Sequence, residues 1–592
     1  MAVNSYKEDE QVHEITKGEM FRRLTKYLRN YTGMIIVILL LIIFRTVVRI
    51  INPLFMEAGI DDYIAKGNIR GLFILGIIVA ALNIITVLSV KLRMFFTAKV
   101  TNQVIMEIRQ DLYNHIQTLD FKFFDSRPTG KILSRIIQDV NQLKAFFENC
   151  ITTLIPQLGT VIAVFIIMIV KNPKLTFASL CSIPLLMVGV YFIQIKGRPR
   201  WQAMRKKSSN YSAFIHEDLS GIKIVQQFNA EKETNDESDI LSEEHRKAFI
   251  HAITFGDMFM SNVHITSAIG TAALYFFGVK IFGVDTISIG TYIAFGTYLT
   301  MFWEPITELA SFYNQLVSQL ASAERVFEVL DTESEIKNKE DAVTLPAIKG
   351  EVKFDDVSFG YNNEVQVLKD VSFTIKPGET IALVGPTGAG KTTIVNLISR
   401  FYDVTGGKVL IDGKDVRDVT LHSLRSQMGI MTQDTYLFSG TIMENIRYGK
   451  LEASDEEVIA AAKAVHADEF ISRLPDGYKT ELTERGGGLS NGQKQLVAFA
   501  RAMISDPKIL VLDEATSSID TKTEIVVQQG IDVMLKGRTS FVIAHRLSTI
   551  KNADRIFVID DGGIVEQGNQ EELMEKKGAY YNLYMSQFAN IA

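Results

Sequence analysis

Thr380-Ile381-Ala382-Leu383-Val384-Gly385-Pro386-Thr387-Gly388-Ala389-Gly390-Lys391-Thr392-Thr393 passes from an apolar run into a glycine-punctuated loop, and Ile394–Phe401 follows with helical spacing. The run predicts a buried strand, and the loop reads G-x-x-x-x-G-K-[ST] between a strand and a helix. Each residue type there suits a nucleoside polyphosphate. Glycines let backbone N–H groups approach phosphate oxygens, and the following helix N-terminus favours negative charge. Lys391 can reach the β- and γ-phosphates, and the Thr392 hydroxyl can hold Mg²⁺. A turn without function would share the glycines but not both flanking elements, so ATP and Mg²⁺ are the expected ligands.

Working outward, Ile509–Leu512 reads as a second buried strand ending in Asp513-Glu514. A carboxylate at a strand's carboxyl end is how P-loop enzymes hold magnesium. Asp513 is therefore the expected metal-side acid, and Glu514 the group that orients or deprotonates the attacking water. A third strand, Ser540–Ile543, delivers Ala544-His545, where an imidazole could meet the γ-phosphate. Solvated acids and a structural histidine are the bland alternatives. Placement of all three groups at strand ends of one sheet favours the functional reading. From Gly350 onward, short β-type runs alternate with helical stretches, which predicts an α/β domain.

The N-terminal half reads differently. Six apolar runs of membrane-spanning length occur before residue 310 and none after it: Tyr31–Met56, Gly71–Phe96, Ile151–Val170, Leu175–Ile195, Met258–Phe282 and Ile287–Pro305. The chain has 592 residues, 47% hydrophobic and 22% charged, enough for several domains and too apolar for disorder. A net charge of −6 argues against a nucleic-acid partner. Cys150 and Cys181 both lie in apolar stretches, which excludes a disulfide framework or thiolate metal cluster. The first run begins too late and is too long for a cleavable signal peptide. Lys17, Arg22, Arg23, Lys26 and Arg29 precede it, and the long connections after the second and fourth runs are basic. The positive-inside rule then puts both termini in the cytoplasm. A charged linker starts near Thr332, at Glu333–Asp341.

Leu489-Ser490-Asn491-Gly492-Gln493 resembles the LSGGQ signature of ATP-binding-cassette ATPases, and Asp513–Asp520 looks like that family's Walker B and D-loop. Gln433, in Met431-Thr432-Gln433-Asp434, matches the Q-loop; Tyr361, in Val357–Tyr361, matches the aromatic A-loop; His545 matches the switch histidine. Phe123–Gly130 is similar to the first intracellular loop of exporter transmembrane domains. The resemblance implies a polytopic α-helical membrane domain with six spans and long cytoplasmic extensions, residues 1–330, carrying two cytoplasmic coupling loops. A linker, 331–349, and an α/β P-loop nucleotide-binding domain, 350–592, follow. It implies ATP hydrolysis coupled to transport at the plasma membrane, with the nucleotide-binding domain cytoplasmic. It also implies catalytic roles for Glu514, His545 and Gln433, ATP contacts from Tyr361 and each residue of Gly385–Thr393 (Gly385, Pro386, Thr387, Gly388, Ala389, Gly390, Lys391, Thr392, Thr393), and Mg²⁺ at Thr392, Gln433 and Asp513. Ser490, Asn491, Gly492 and Gln493 would face a partner chain's ATP, so one chain is half of a transporter. Ser126–Ile132 and Ser212–Lys223 look like coupling helices, and Thr483–Gly486 like the loop that touches the partner's intracellular helices.

One departure stands out: Asn491 replaces the family's first glycine. A Cβ there restricts backbone φ and close approach to phosphate, whereas the Walker side is intact. That asymmetry implies a heterodimer with a second, different half-transporter, against a tolerated substitution in a homodimer.

Arg45 and Arg49 interrupt the first run, Asp257 adjoins the fifth, and Glu304 and Glu308 follow Trp303 in or beside the sixth. Charges at bilayer depth cost about 2.5–3.5 kcal/mol on insertion scales, so they face a cavity or an ion partner unless they lie at an interface. Phe255, Phe259, Tyr275, Phe276, Tyr292, Phe295, Tyr298 and Phe302 could line an amphipathic pocket or simply pack. The leading expectation is export of hydrophobic or amphipathic compounds, multidrug efflux by alternating access. The alternative is a lipid or lipopeptide flippase of the same architecture. A soluble cassette ATPase would lack the six runs.

Overall fold

The computed structural model describes residues 16–282, 287–361, 365–432, 435–513, 521–543 and 550–588. Among the described residues two compact units emerge: 16–117 with 130–331, and 118–129 with 332–588.

The first unit is built from long helical runs. Gly18–Ile64, Ile69–Ile116, Thr129–Lys171 and Pro173–Ser220 are each long and apolar enough to cross a membrane. The fifth and sixth expected spans fall in Glu231–Phe282 and Ile289–Asp331, of 52 and 43 residues. These are less apolar, because Asn262, His264, Thr266, Thr297, Thr300 and Glu304 interrupt them. Their hydroxyls are satisfied within the helix: Thr266 donates to the Asn262 carbonyl at 2.7 Å and Thr297 to the Ile293 carbonyl at 3.0 Å, which removes the main cost of a polar group in an apolar medium. At about 1.5 Å per residue such helices reach roughly 65–78 Å, over twice the thickness of a hydrocarbon core. Helices of that length continue well beyond such a core, in keeping with the long extensions read from the sequence.

On Ile69–Ile116 the most apolar window is 0% buried, with Ile74, Ile77, Ile78, Ile84, Ile85 and Leu88 turned outward. An apolar face of that extent suits hydrocarbon rather than water. Val164, Met168, Leu274, Phe295, Tyr298, Leu299 and Trp303 form part of the interior. Four of the aromatics that could have lined a pocket, Tyr292, Phe295, Tyr298 and Phe302, are packing residues here, and the Tyr298 hydroxyl donates to the Ile50 carbonyl at 2.7 Å. Tyr275 and Phe276 stay exposed. Toward the other end of this unit, Arg135 is buried and donates to Glu328 at 3.1 Å and to the Arg325 carbonyl at 3.0 Å, while Arg325 pairs with Asp139. Replacing one partner of such a network leaves a buried charge unpaired, a loss of about 3–5 kcal/mol.

The second unit carries the strands: β1 (Val352–Phe359), β2 (Leu368–Ile375), β3 (Thr380–Val384), β4 (Gly406–Ile411), β5 (Lys414–Asp415), β6 (Met428–Met431), β7 (Gly440–Thr441), β8 (Glu481–Leu482), β9 (Ile509–Asp513), β10 (Thr539–Ile543), β11 (Arg555–Asp560) and β12 (Gly563–Gly568). The main sheet has the order β12-β11-β3-β10-β9-β6, parallel throughout except for edge strand β12. Strands β3 and β10 are buried at every position, as a parallel sheet covered on both faces requires. An antiparallel sheet β2-β1-β4-β5 packs beside it. Among the described residues three separate interiors result, one of them a small cluster of Ala382, Val384, Ile556, Val558, Leu573 and Tyr580, and the two larger ones frame the site. Of these two, one joins both sheets around Phe354, Phe541 and Phe557 and includes Ala389, Ile394 and Leu397 from the phosphate-loop segment. The other gathers Leu496, Val497 and Phe499 from helix Asn491–Met503 with Ile442, Val458 and Val527. Burying each such aromatic or aliphatic side chain contributes about 1.5–3 kcal/mol.

Candidate nucleotide site

Strand β3 ends where the loop begins, and the loop's backbone explains its glycines. Gly385, Gly388 and Gly390 have φ of +148°, +87° and +109°. A Cβ on Gly385 would meet the Ile559 carbonyl oxygen at 2.1 Å, and one on Gly390 would meet the Leu368 side chain at 2.8 Å. At Gly385 a side chain would have to displace the β11 backbone, and at Gly390 the positive φ itself favours glycine. Gly390 caps helix Lys391–Ile398, whose buried face (Thr393, Ile394, Val395, Leu397, Ile398) anchors the loop.

Lys391 Nζ donates to the Gly385 and Pro386 carbonyls, each at 2.8 Å, so its ammonium is held inside the loop it serves. Burial pushes the Lys391 amine below its ordinary range, and the charge of Asp513 opposes that shift. Parallel pairing of β10 with both β3 and β9 brings the phosphate loop and Asp513 to the same edge of the sheet. The arrangement therefore offers backbone donors and an ammonium for phosphate oxygens. It also offers the hydroxyl of Thr392 and the carboxylate of Asp513, hard oxygen donors of the kind Mg²⁺ takes. Gln433, Glu514 and His545, the residues expected to activate water and sense the γ-phosphate, lie outside the described residues, as does most of the D-loop.

Tyr361 stands next to that helix. Its hydroxyl shares a hydrogen bond with Thr393 Oγ1 at 3.1 Å and accepts one from Asn396 Nδ2 at 3.4 Å. Phe359 and Tyr402 meet its ring at interplanar angles of 85° and 90°, so neither stacks on it face to face, and Tyr361 remains 39% exposed. A base can lie against such a ring.

Contacts not anticipated from the sequence connect to this corner. Helix Phe121–Asp125, which lies in sequence between stretches of the helical unit, packs within the second unit. Phe121 lies against Phe401 with ring centroids 4.2 Å apart, Lys122 pairs with Glu335 at 2.5 Å, and the Asp125 carboxylate accepts the Tyr402 hydroxyl proton. Burial, reinforced by that carboxylate, pushes the Tyr402 phenol well above its usual range. Asp125 lies in Phe123–Gly130, the stretch similar to the first intracellular loop, one residue before Ser126–Ile132. In the other expected segment, a break at Gly221 separates helix Ile183–Ser220 from helix Ile222–Gln227. At Thr483–Gly486 a tight turn sets Arg485 at φ +56°.

The signature corrects one inference. Ser490 caps helix Asn491–Met503: its Oγ accepts from the Gln493 amide at 3.3 Å, and Gln493 Oε1 accepts from the Ser490 amide at 2.9 Å. Asn491 is the first helical residue and is not among the residues with positive φ. The restriction of φ by its Cβ consequently costs nothing, because a right-handed helical residue uses none of glycine's extra freedom. What Asn491 adds is an exposed carboxamide at the helix start.

Residues 35–306 match the family model for the ABC transporter transmembrane region, and residues 368–517 match that for the ABC transporter. The chain is 42% identical over 586 residues to the uncharacterized ABC transporter ATP-binding protein YknV of Bacillus subtilis, covering 99% of this chain and 97% of that one. It is 38% identical to an ATP-dependent lipid A-core flippase of Syntrophus aciditrophicus, over 82% of this chain and 81% of that protein. It is 36% identical to the putative multidrug export ATP-binding/permease protein YgaD of Bacillus subtilis, over 96% and 100%. A solved bacterial Atm1-family ABC exporter with ATP bound superposes with a TM-score of 0.78 at 29% identity, over 95% of this chain and 99% of that one. With a helical membrane unit, a P-loop α/β unit and these relatives, the chain belongs to the ABC transporter family, as an exporter-type half-transporter whose ATPase is coupled to transport across a membrane.

Proposed function

We propose that this chain exports hydrophobic or amphipathic compounds by ATP-driven alternating access at the plasma membrane, with termini and cassette in the cytoplasm, as one half of a dimeric transporter. The carrying observation is that the phosphate loop and the signature helix belong to two different interiors of one cassette. A nucleotide gripped by both elements is thus best supplied by two chains facing one another. Lys391 and the loop amides hold the phosphates, Tyr361 stacks on adenine, and Thr392, Asp513 and Gln433 hold Mg²⁺. When bound, Mg²⁺ neutralises charge on the β- and γ-phosphates. Glu514 orients or deprotonates water, and His545 contacts the γ-phosphate. Support for an unlike partner is now steric alone: the Asn491 carboxamide occupies room that glycine would leave beside a partner's phosphates.

ATP-dependent uptake of Hoechst 33342 into inside-out vesicles tests the export reading. Glu514→Gln should lower hydrolysis by about 10²–10⁴-fold while nucleotide still binds. Undiminished hydrolysis in that variant would assign water activation to another residue. Transport of fluorescent phospholipid but of no dye would favour the flippase. Purification of the chain expressed alone as a fully active, dye-stimulated homodimer would sink the heterodimer.

A further inference from the structure

Inside the helical unit, a small cavity is lined by Arg45, Arg49, Arg93, Gln157, Thr160 and Ile42, among others. Arg45 and Arg49 interrupt the apolar run Tyr31–Met56, and Arg93 lies in the run Gly71–Phe96. Among the described residues, Arg49 alone of the three is paired with an acid. Glu304 pairs with Arg49 at 2.5 Å, and Glu308 accepts from Gln157 Nε2 at 2.7 Å. Arg93 is only 6% exposed, and its Nε and Nη1 are buried with no hydrogen-bond partner. Gln157, 9% exposed, likewise leaves its Oε1 unpartnered. Among the described residues, neither a hydrogen bond nor an ion pair is seen for the Arg45 side chain.

A buried guanidinium that lacks partners is costly, and folding alone would favour an apolar residue of the same shape. The cost is offset when a ligand supplies acceptors. A cation would be repelled by two unneutralised guanidiniums, and a neutral hydroxyl could satisfy one donor but no charge. A carboxylate or phosphate presents paired oxygens that match the guanidinium fork. We propose that this cavity is the head-group subsite for the transported compound, and that the compound is an amphipathic anion whose carboxylate or phosphate binds Arg93 and Arg45. The inference rests on the export reading and narrows its substrate class.

The test is equilibrium binding of radiolabelled lauric acid, dodecanol and dodecyltrimethylammonium to the full chain in phosphatidylcholine nanodiscs, without nucleotide and with empty discs subtracted. Laurate should bind saturably and at least about tenfold more tightly than the other two. Arg93→Gln and Arg45→Gln should each weaken it by tenfold or more, and Arg93→Lys should recover part of the loss. Displacement of laurate when phosphatidylglycerol replaces part of the phosphatidylcholine would identify a lipid head group as the source of the anion. Lack of displacement would identify a free amphiphile, and either result supports the subsite. Thermal unfolding separates binding from architecture. Arg93→Gln should unfold at the same or a higher temperature without ligand and lose the stabilisation that laurate brings to the parent protein. Equal binding of the three chains, unchanged laurate affinity in Arg93→Gln, or a lowered unfolding temperature with binding retained would each overturn the proposal. Since this assay uses no ATP, its failure leaves vesicle transport to judge the export reading separately.

Discussion

The phosphate loop and the signature segment both present a helix start, yet they reach it by opposite means. The loop arrives through three glycines at positive φ, one of them too close to the Ile559 carbonyl to carry a Cβ. The signature arrives through a side-chain cap, with Ser490 and Gln493 exchanging hydrogen bonds and Asn491 already helical. A backbone-shaped site tolerates almost no side chain, whereas a cap-shaped site depends on particular side chains and tolerates a neighbour with a Cβ. Glycine at two positions of one family pattern therefore does not mean the same physical requirement at both.

The contrast predicts a graded series. Gly385→Ala should be the most damaging, because strain at a glycine-only conformation costs about 1–3 kcal/mol before the clash with β11 is counted. Binding of a fluorescent ATP analogue should be lost and the cassette's unfolding temperature lowered. Full binding by that variant would show that the loop can rearrange. Lys391→Ala should leave the fold intact and weaken ATP by about 10–100-fold, the equivalent of one or two charge-assisted hydrogen bonds. Isothermal titration would reveal this, and an unchanged affinity would mean that the ammonium stays with its own carbonyls when nucleotide is bound.

Ser490→Ala should remove the cap and cost about 1 kcal/mol, visible as a small fall in thermal stability. If stability does not change, the signature helix is held by packing alone. Asn491→Gly should have the smallest effect, a few tenths of a kcal/mol from helix propensity, with hydrolysis by the assembled transporter nearly unaltered. A gain of severalfold in hydrolysis would restore a direct role for position 491 at the active nucleotide.

The division into an apolar helical half and an α/β half is legible in the residue order, as are the loop at Gly385–Thr393 and the strand ending at Asp513. Each is spelled by contiguous residues: a helix is long because apolar positions recur, and a parallel strand is buried because it reads as a nearly continuous apolar run. Of the six apolar runs, the first four fall in helices long and apolar enough to cross a membrane. The last two helices carry polar side chains whose hydroxyls bond back to their own turns, so their polarity understates their fitness for an apolar surrounding.

Tyr402 and Asp125 offered no such spelling, being 277 residues apart. So too Arg93, one cation near the end of an apolar run, could not be told from an interfacial arginine until packing left its Nε and Nη1 buried without partners. Residue order was sufficient wherever the physics acts within a turn of helix, a strand or a loop: the phosphate loop, the acid at the strand end, the apolar runs. Folding had to choose which distant side chains share one dry space, because desolvation and pairing depend on neighbours brought together from different elements. The helical geometry of Asn491, the Tyr402–Asp125 contact and the unmatched guanidinium of Arg93 all belong to that second kind.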